Sequence, residues 1–433
     1  MASPSPPDLP EPGPTEPGPT EPEPDPSEPD PGQPRRAGPC RGEVGPVEAV
    51  PGAGSAPLRV STLELFFDLV FAFTLTQLTA LLADRLSLAG IAQVLLVFGV
   101  LWWMYGGYAW LTNTRTPDRT AERLLLLVGM TGFLVVGLTL PRGFSHGGFS
   151  RAGLALGLGY LVVVLVHATL YYRVNQNIAR VAPFNLASAG CVILAGVLGG
   201  PAAYVLWAAA LAIQVLSPLI VRVAGRFEIQ PTHFVERHGA LIIVALGESV
   251  AAVGIGASRL TLSAAVVTVA VLGLALSAGL WWTYFGSGQD DRAERAMTAA
   301  SRERRPALAL SAYFFAHIPM LLGIVALAAG VQLTIGNAAQ PHPTDQALAL
   351  GGGMALFLAG NAMFCRALRI GPGWLHLATA LFALATTVLG ATVAIEAQLA
   401  VLLAGLVAML AAEQAAERHR DAADHAGAGG WSM

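Results

Sequence analysis

From residue 63 to residue 412 the chain is a succession of long apolar runs separated by short polar stretches, and the runs repeatedly reach about 20 residues. At ~1.5 Å per residue, such a run crosses the roughly 30 Å of bilayer hydrocarbon as a helix. Twelve are readable: 63–83, 88–111, 121–140, 151–172, 182–200, 202–221, 238–257, 262–285, 307–330, 346–365, 374–390 and 392–412. The pattern predicts an all-α polytopic membrane protein whose first partner is the lipid bilayer. Composition agrees, since 54% hydrophobic residues, 12% charged residues and a mean hydropathy of +0.58 are far from a soluble globular average.

The polar stretches test the count independently, because basic residues concentrate on the cytoplasmic side of a membrane. All 25 basic residues are arginine. With twelve spans, 21 of them share a side with both termini and 4 lie opposite, a split that a miscounted span would scramble. The expectation is a multi-pass protein of the cell (inner) membrane with both termini cytoplasmic. The lack of lysine also removes Schiff-base chemistry with retinal or pyridoxal.

Residues 1–57 are a separate object. They hold 18 of the 29 prolines, including two copies of Glu-Pro-Gly-Pro-Thr at 11–20, and residues 1–50 carry 10 acids against 3 arginines. Such a segment has nothing to bury, so it is expected to be a disordered, polyproline-like cytoplasmic tail, serving as a spacer or as a docking tail. It lacks the basic and apolar regions of a signal peptide. Residues 413–433 are expected to be a short cytoplasmic tail that begins as a frayed helix end. Three cysteines make no disulfide framework, and Cys191 and Cys365 fall within spans as small apolar fillers.

Two stretches repeat each other. An acidic helix start at 61–77, containing Glu64 and Asp68, is followed by a span that carries Trp102-Trp103-Met104-Tyr105-Gly106. A second, at 233–249, contains Glu236, His238 and Glu248 and is followed by Trp281-Trp282-Thr283-Tyr284-Phe285-Gly286. The Glu-to-Trp distance is 38 residues in one (64 to 102) and 45 in the other (236 to 281). The fourth span of each half ends on an arginine, Arg173 and Arg366. Six helices per copy is an even number, so the halves, 58–230 and 231–412, are expected to be parallel repeats related by an axis along the membrane normal.

The run Glu64-Leu-Phe-Phe-Asp68-Leu-Val-Phe, the segment His233-Phe-Val-Glu236-Arg-His238-Gly with Leu246-Gly247-Glu248-Ser249, and the two Trp-Trp-x-Tyr motifs resemble the bacterial low temperature requirement protein A family. The resemblance covers about 59–412. It implies an integral membrane protein tied by name to growth in the cold, and carries no settled activity with it.

The ionisable residues inside the spans are the candidate chemistry. Glu248 lies ten residues after His238 and eleven before Arg259, so it sits ~15 Å from either end, near the bilayer centre. A carboxylate there costs on the order of 3 kcal/mol unless it is paired, hydrated or protonated. It is either a proton or cation site, or a protonated acid bridging helices. Glu64 and Asp68 are four apart and share a helix face, so both ionise cheaply only if an arginine or metal ion intervenes. Ser61-x-x-Glu64 also fits a capping box. Glu236, Arg237 and His238 are read at the mouth of the seventh span, as cap and interface charges or as gate residues facing Glu64 and Asp68. His233 and His238, five apart, lack metal-ligand spacing, and no metal site is expected.

His167 and His317 are single intramembrane histidines, either packing residues or relay members. Pro218 and Pro319 free backbone carbonyls that can line a cavity. Trp102, Trp103, Trp281 and Trp282 read as interface anchors, or alternatively as a cavity wall. Gly143-Phe-Ser145-His-Gly147 has the spacing of a nucleophile elbow but no strand before it.

No nucleotide loop, dinucleotide fingerprint or haem motif occurs, so no cofactor, ATP coupling or nucleic-acid partner is expected. The reading is a secondary transporter or ion-conducting protein for a small ion or small molecule, centred on the first and seventh helices. The alternatives are an intramembrane enzyme or lipid-handling protein, and a membrane scaffold without turnover.

Overall fold

The computed structural model describes residues 59–114, 117–143, 150–172, 180–221, 228–258, 260–286, 288–336 and 339–428, with side chains through His419. The first-tail segment 1–58, Arg173, Arg259 and the Ser145 motif's residues 144–149 lie outside them.

Backbone amides have no water to bond in hydrocarbon, so an apolar run must satisfy them internally as helix. The helices are α1 (Thr62–Asp84), α2 (Leu88–Thr114), α3 (Thr120–Gly143), α4 (Arg151–Tyr172), α5 (Ala182–Leu198), α6 (Gly200–Val221), α7 (Pro231–Ala257), α8 (Ala264–Trp281), α9 (Gln289–Ala299), α10 (Arg305–Leu308), α11 (His317–Thr334), α12 (Thr344–Leu368), α13 (Trp374–Ala385), α14 (Thr387–Thr392) and α15 (Ile395–Ala428). No strand occurs among the described residues. Among the described residues, eleven segments are long and apolar enough to cross a membrane, and α5, with 17 residues, is a shorter apolar helix. The chain is a multi-pass, all-α membrane protein.

Three boundaries depart from the sequence pattern. α7 begins at Pro231 rather than 238, so Glu236, Arg237 and His238 stand in its second turn instead of at its mouth. Arg237, counted above among the loop arginines, is therefore an interior residue. α2 continues three residues beyond the expected end, to Thr114, which brings Thr112 and Asn113 into the helix. α15 runs on to Ala428, and its extension is tied down by Arg292–Glu417 (2.8 Å) and His376–Glu413 (3.3 Å).

Lipid tails are as apolar as leucine, so helix association rests on close van der Waals packing at small residues. Gly153 of α4 and Gly196 of α5 meet so closely that a Cβ on either would sit 2.4 or 2.1 Å from the other's carbonyl oxygen. Gly323 and Gly353 do the same for α11 and α12, at 2.6 and 2.8 Å. α1 ends up among α2, α3, α7 and α11, and its most buried residues include Phe67, Asp68, Phe71 and Leu75.

The second half contains two π-helical turns, Trp282–Gly286 and Ala309–Phe315, and the latter leads into α11 just before Pro319. Proline lacks an N–H and crowds the carbonyl four residues back, so the wider turn relieves it. Two carbonyls of this turn take side-chain donors. His317 Nδ1 donates to Ala312 O (3.0 Å) and Trp102 Nε1 donates to Phe314 O (3.2 Å), which also ties the halves together.

Candidate functional site

α1 starts where the sequence puts it. Ser61 is its N-cap, and Glu64 closes a capping box by accepting from Ser61 N at 2.9 Å. α7 starts at Pro231, whose fixed φ suits the first helical turn, with Gln230 as N-cap. Asn113, in the last turn of α2, clasps the backbone of Gln230. Its Oδ1 accepts from Gln230 N (3.0 Å) and its Nδ2 donates to Gln230 O (2.9 Å). The C-terminal end of α2 and the N-terminal end of α7 are thereby fixed against one another.

Between them sits a buried ionic network. Arg237 Nη1 donates to Glu64 Oε1 (3.1 Å) and to Thr112 Oγ1, while Nη2 donates to Asp68 Oδ1 (3.2 Å). Tyr105 OH donates to the same Asp68 oxygen at 3.0 Å. The guanidinium lies 5.6 Å from the centroids of both Phe67 and Tyr105, within cation–π range. Glu64, Asp68 and Arg237 are all at most 1% exposed.

Hydrogen-bond polarity fixes the neighbouring histidine. Gln230's backbone orients the Asn113 amide, so Nδ2 is a donor and His233 Nδ1, 3.2 Å away, accepts from it. The ring proton is then on Nε2, which donates to Glu64 Oε2 at 3.3 Å. His233 in this tautomer brings no charge. With both acids ionised, two carboxylates therefore face one guanidinium, an excess of one negative charge. Asp68 Oδ2 is buried without a hydrogen-bond partner. A proton or small cation at that oxygen would neutralise the cluster.

A second polar level lies deeper on the same pair of helices. Thr76 Oγ1 of α1 donates to Glu248 Oε2 of α7 at 2.5 Å, and Glu248 Oε1 is buried without a partner. Asp68 to Thr76 is eight residues, ~12 Å along the helix. The buried side chains between the levels are Phe71, Ala72 and Leu75 on α1 and Leu241, Ile242, Ala245 and Leu246 on α7, with Thr74 turned back onto Phe71 O and His238 onto Phe234 O. Both sets of contacts advance in the same direction along the chain, so α1 and α7 run parallel.

The other candidates are placed apart from this axis. Glu236 is half-buried and accepts from Val60 N (3.2 Å), away from Asp68. His238 donates from Nδ1 to Phe234 O (2.8 Å) and its ring is 5.3 Å from that of His317. His317, with Nδ1 as donor, accepts at Nε2 from Tyr284 OH (3.2 Å). His167 packs between Tyr108 and Tyr171, with ring centroids 5.3 and 5.0 Å away. Trp102 is 1% exposed and stacks on Phe98 and Tyr105, so it is an interior residue rather than an interface anchor. Trp103 is half-buried, while Trp281 and Trp282 are 41% and 44% exposed.

The motif pointed to the tryptophans, yet in each copy the tyrosine bonds a candidate ionisable side chain, Tyr105 to Asp68 and Tyr284 to His317. Thr112 and Asn113 carried no sequence signal beyond being polar residues at a helix end.

A family model described as Bacterial low temperature requirement A protein matches residues 59–412. The chain is 28% identical over 319 residues to "Uncharacterized protein RA0937" of Rhizobium meliloti (strain 1021), covering 70% of this chain and 76% of that one. That name states no activity.

Proposed function

The chain belongs to the bacterial low temperature requirement A family, and we propose that it is a proton- or cation-coupled secondary transporter, or an ion-conducting protein, with its ion path along the α1–α7 interface. The observation that carries this reading is the pair of acidic levels there. Asp68 and Glu248 each keep one buried oxygen without a partner, with an apolar layer between them. Intramembrane acids are expensive and mark ion paths, and two half-satisfied acids in line give an ion two resting places. The apolar layer separates them as a dry constriction, which must hydrate or shift for an ion to pass.

The fold's internal repetition belongs to the same proposal. α1 packs on α3 as α7 packs on α11, α3 on α4 as α11 on α12, and α2 on α6 as α8 on α15. These pairings support two parallel repeats whose first helices meet at the centre, the arrangement in which rocking of one half against the other exposes a shared site to alternate sides. The arginine distribution supports cytoplasmic termini, which places the Arg237 level toward the cytoplasm.

Purified protein in proteoliposomes, with an interior pH dye and imposed proton, sodium or potassium gradients, tests the proposal. Flux above that of empty liposomes for at least one ion is expected. Absence of flux for all three, from protein shown to be folded and inserted, would reject it.

A further inference from the structure

On the arginine-rich side of the molecule, away from the α1–α7 axis, a cavity of about 1400 Å³ opens between α9, α10 and the α12–α13 turn. Arg304, Arg366 and Arg369 line it, with Trp374 at its edge, 65% exposed. None of these three guanidinium groups makes an ion pair among the described residues, although Arg292 and Arg302 nearby do. Arg369 is also the one non-glycine residue with positive φ (57°) among the described residues, a strained conformation at the C-cap of α12 that projects an arginine where glycine is usual.

A second space borders the cavity. An apolar groove of about 1040 Å³ runs between α2 on one side and α12 and α13 on the other, over α11, and Leu377 lines both spaces. Leu348, Gly352, Leu356 and Ala359 of α12 line the groove, and Met363 and Arg366 continue the same helical stripe into the cavity. From Arg366 to Leu348 is eighteen residues, ~27 Å, nearly the whole of a ~30 Å hydrocarbon core. The stripe is therefore long enough to hold an acyl chain of one leaflet, charged at its Arg366 end and apolar below as far as Asp345 at the opposite end.

We propose that this composite space binds an anionic phospholipid, with its phosphate on Arg304, Arg366 and Arg369 and an acyl chain in the groove. Charge decides the occupant. Arginine forks match phosphate oxygens bidentately, a zwitterionic headgroup brings its own cation, and an apolar groove bordering three unpaired arginines fits neither a soluble anion nor a neutral lipid as well. Trp374, exposed at the first position of α13, is a residue type that favours the headgroup region.

The test is electron paramagnetic resonance of chain-labelled phosphatidylglycerol and phosphatidylcholine added to the purified protein in nanodiscs. The wild type is expected to immobilise phosphatidylglycerol in preference, with affinity falling about fivefold for each arginine removed in Arg304→Gln, Arg366→Gln and Arg369→Gln. Gly352→Leu, whose new side chain enters the groove and whose Cβ meets nothing closer than 3.6 Å, should weaken immobilisation with all arginines present. Soluble glycerol phosphate should not displace the lipid. Equal immobilisation of the two lipids, or a preference that survives in the triple variant, would overturn the proposal. So would displacement by glycerol phosphate together with an unaffected Gly352→Leu, which would assign the cavity to a soluble phosphate. Because the site is remote from Asp68 and Glu248, lipid binding and ion flux can fail independently.

Discussion

Arg237 holds two carboxylates from the other half of the chain in a dry interior, and removing one partner of such a cluster leaves uncompensated charge behind. Arg237→Gln is expected to cost about 3–5 kcal/mol, read as a lowered unfolding midpoint in detergent. Adding Glu64→Gln and Asp68→Asn to that variant should recover part of the loss, and a single variant as stable as the wild type would show the cluster to be energetically idle. The acids were legible from the sequence because a charged residue inside an apolar run is costly and conspicuous. Their partnership with Arg237 was not, since the pairing joins residues 169 and 173 positions apart. Arg237 also sat in a polar stretch that hydropathy alone reads as loop.

Helices that approach backbone to backbone leave no room for a side chain. Gly153→Leu should push α4 from α5 and destabilise the protein by roughly 1–3 kcal/mol. Gly190→Ala, on α5 with nothing within 4 Å of the new Cβ, should be neutral or slightly stabilising, because alanine is the better helix former. Thermal unfolding of the two variants side by side checks the contrast, and equal effects would contradict it. The spans themselves were legible because hydrocarbon thickness sets their length. The start of α7 was misplaced because Thr232, His233, Glu236, Arg237 and His238 look like an exposed mouth, whereas partners on α1, α2 and α9 bury or bind most of them. The π turn before Pro319 has no hydropathy signature, and its carbonyls found donors that only the fold brings near.

For the whole molecule, the arginine split predicts that reporter fusions at both termini and in the 286–306 segment report the cytoplasm, and an external 286–306 segment would overturn the twelve-helix orientation. The central claim is that an ion moves between Asp68 and Glu248. Glu248→Gln keeps the shape of the protonated acid and can still accept the Thr76 hydrogen bond, yet it cannot ionise. The most direct measurement is ion flux into proteoliposomes carrying equal amounts of folded wild-type and Glu248→Gln protein. The account predicts flux in the wild type and its loss in Glu248→Gln at unchanged detergent stability; wild-type flux retained in full by the variant would contradict it.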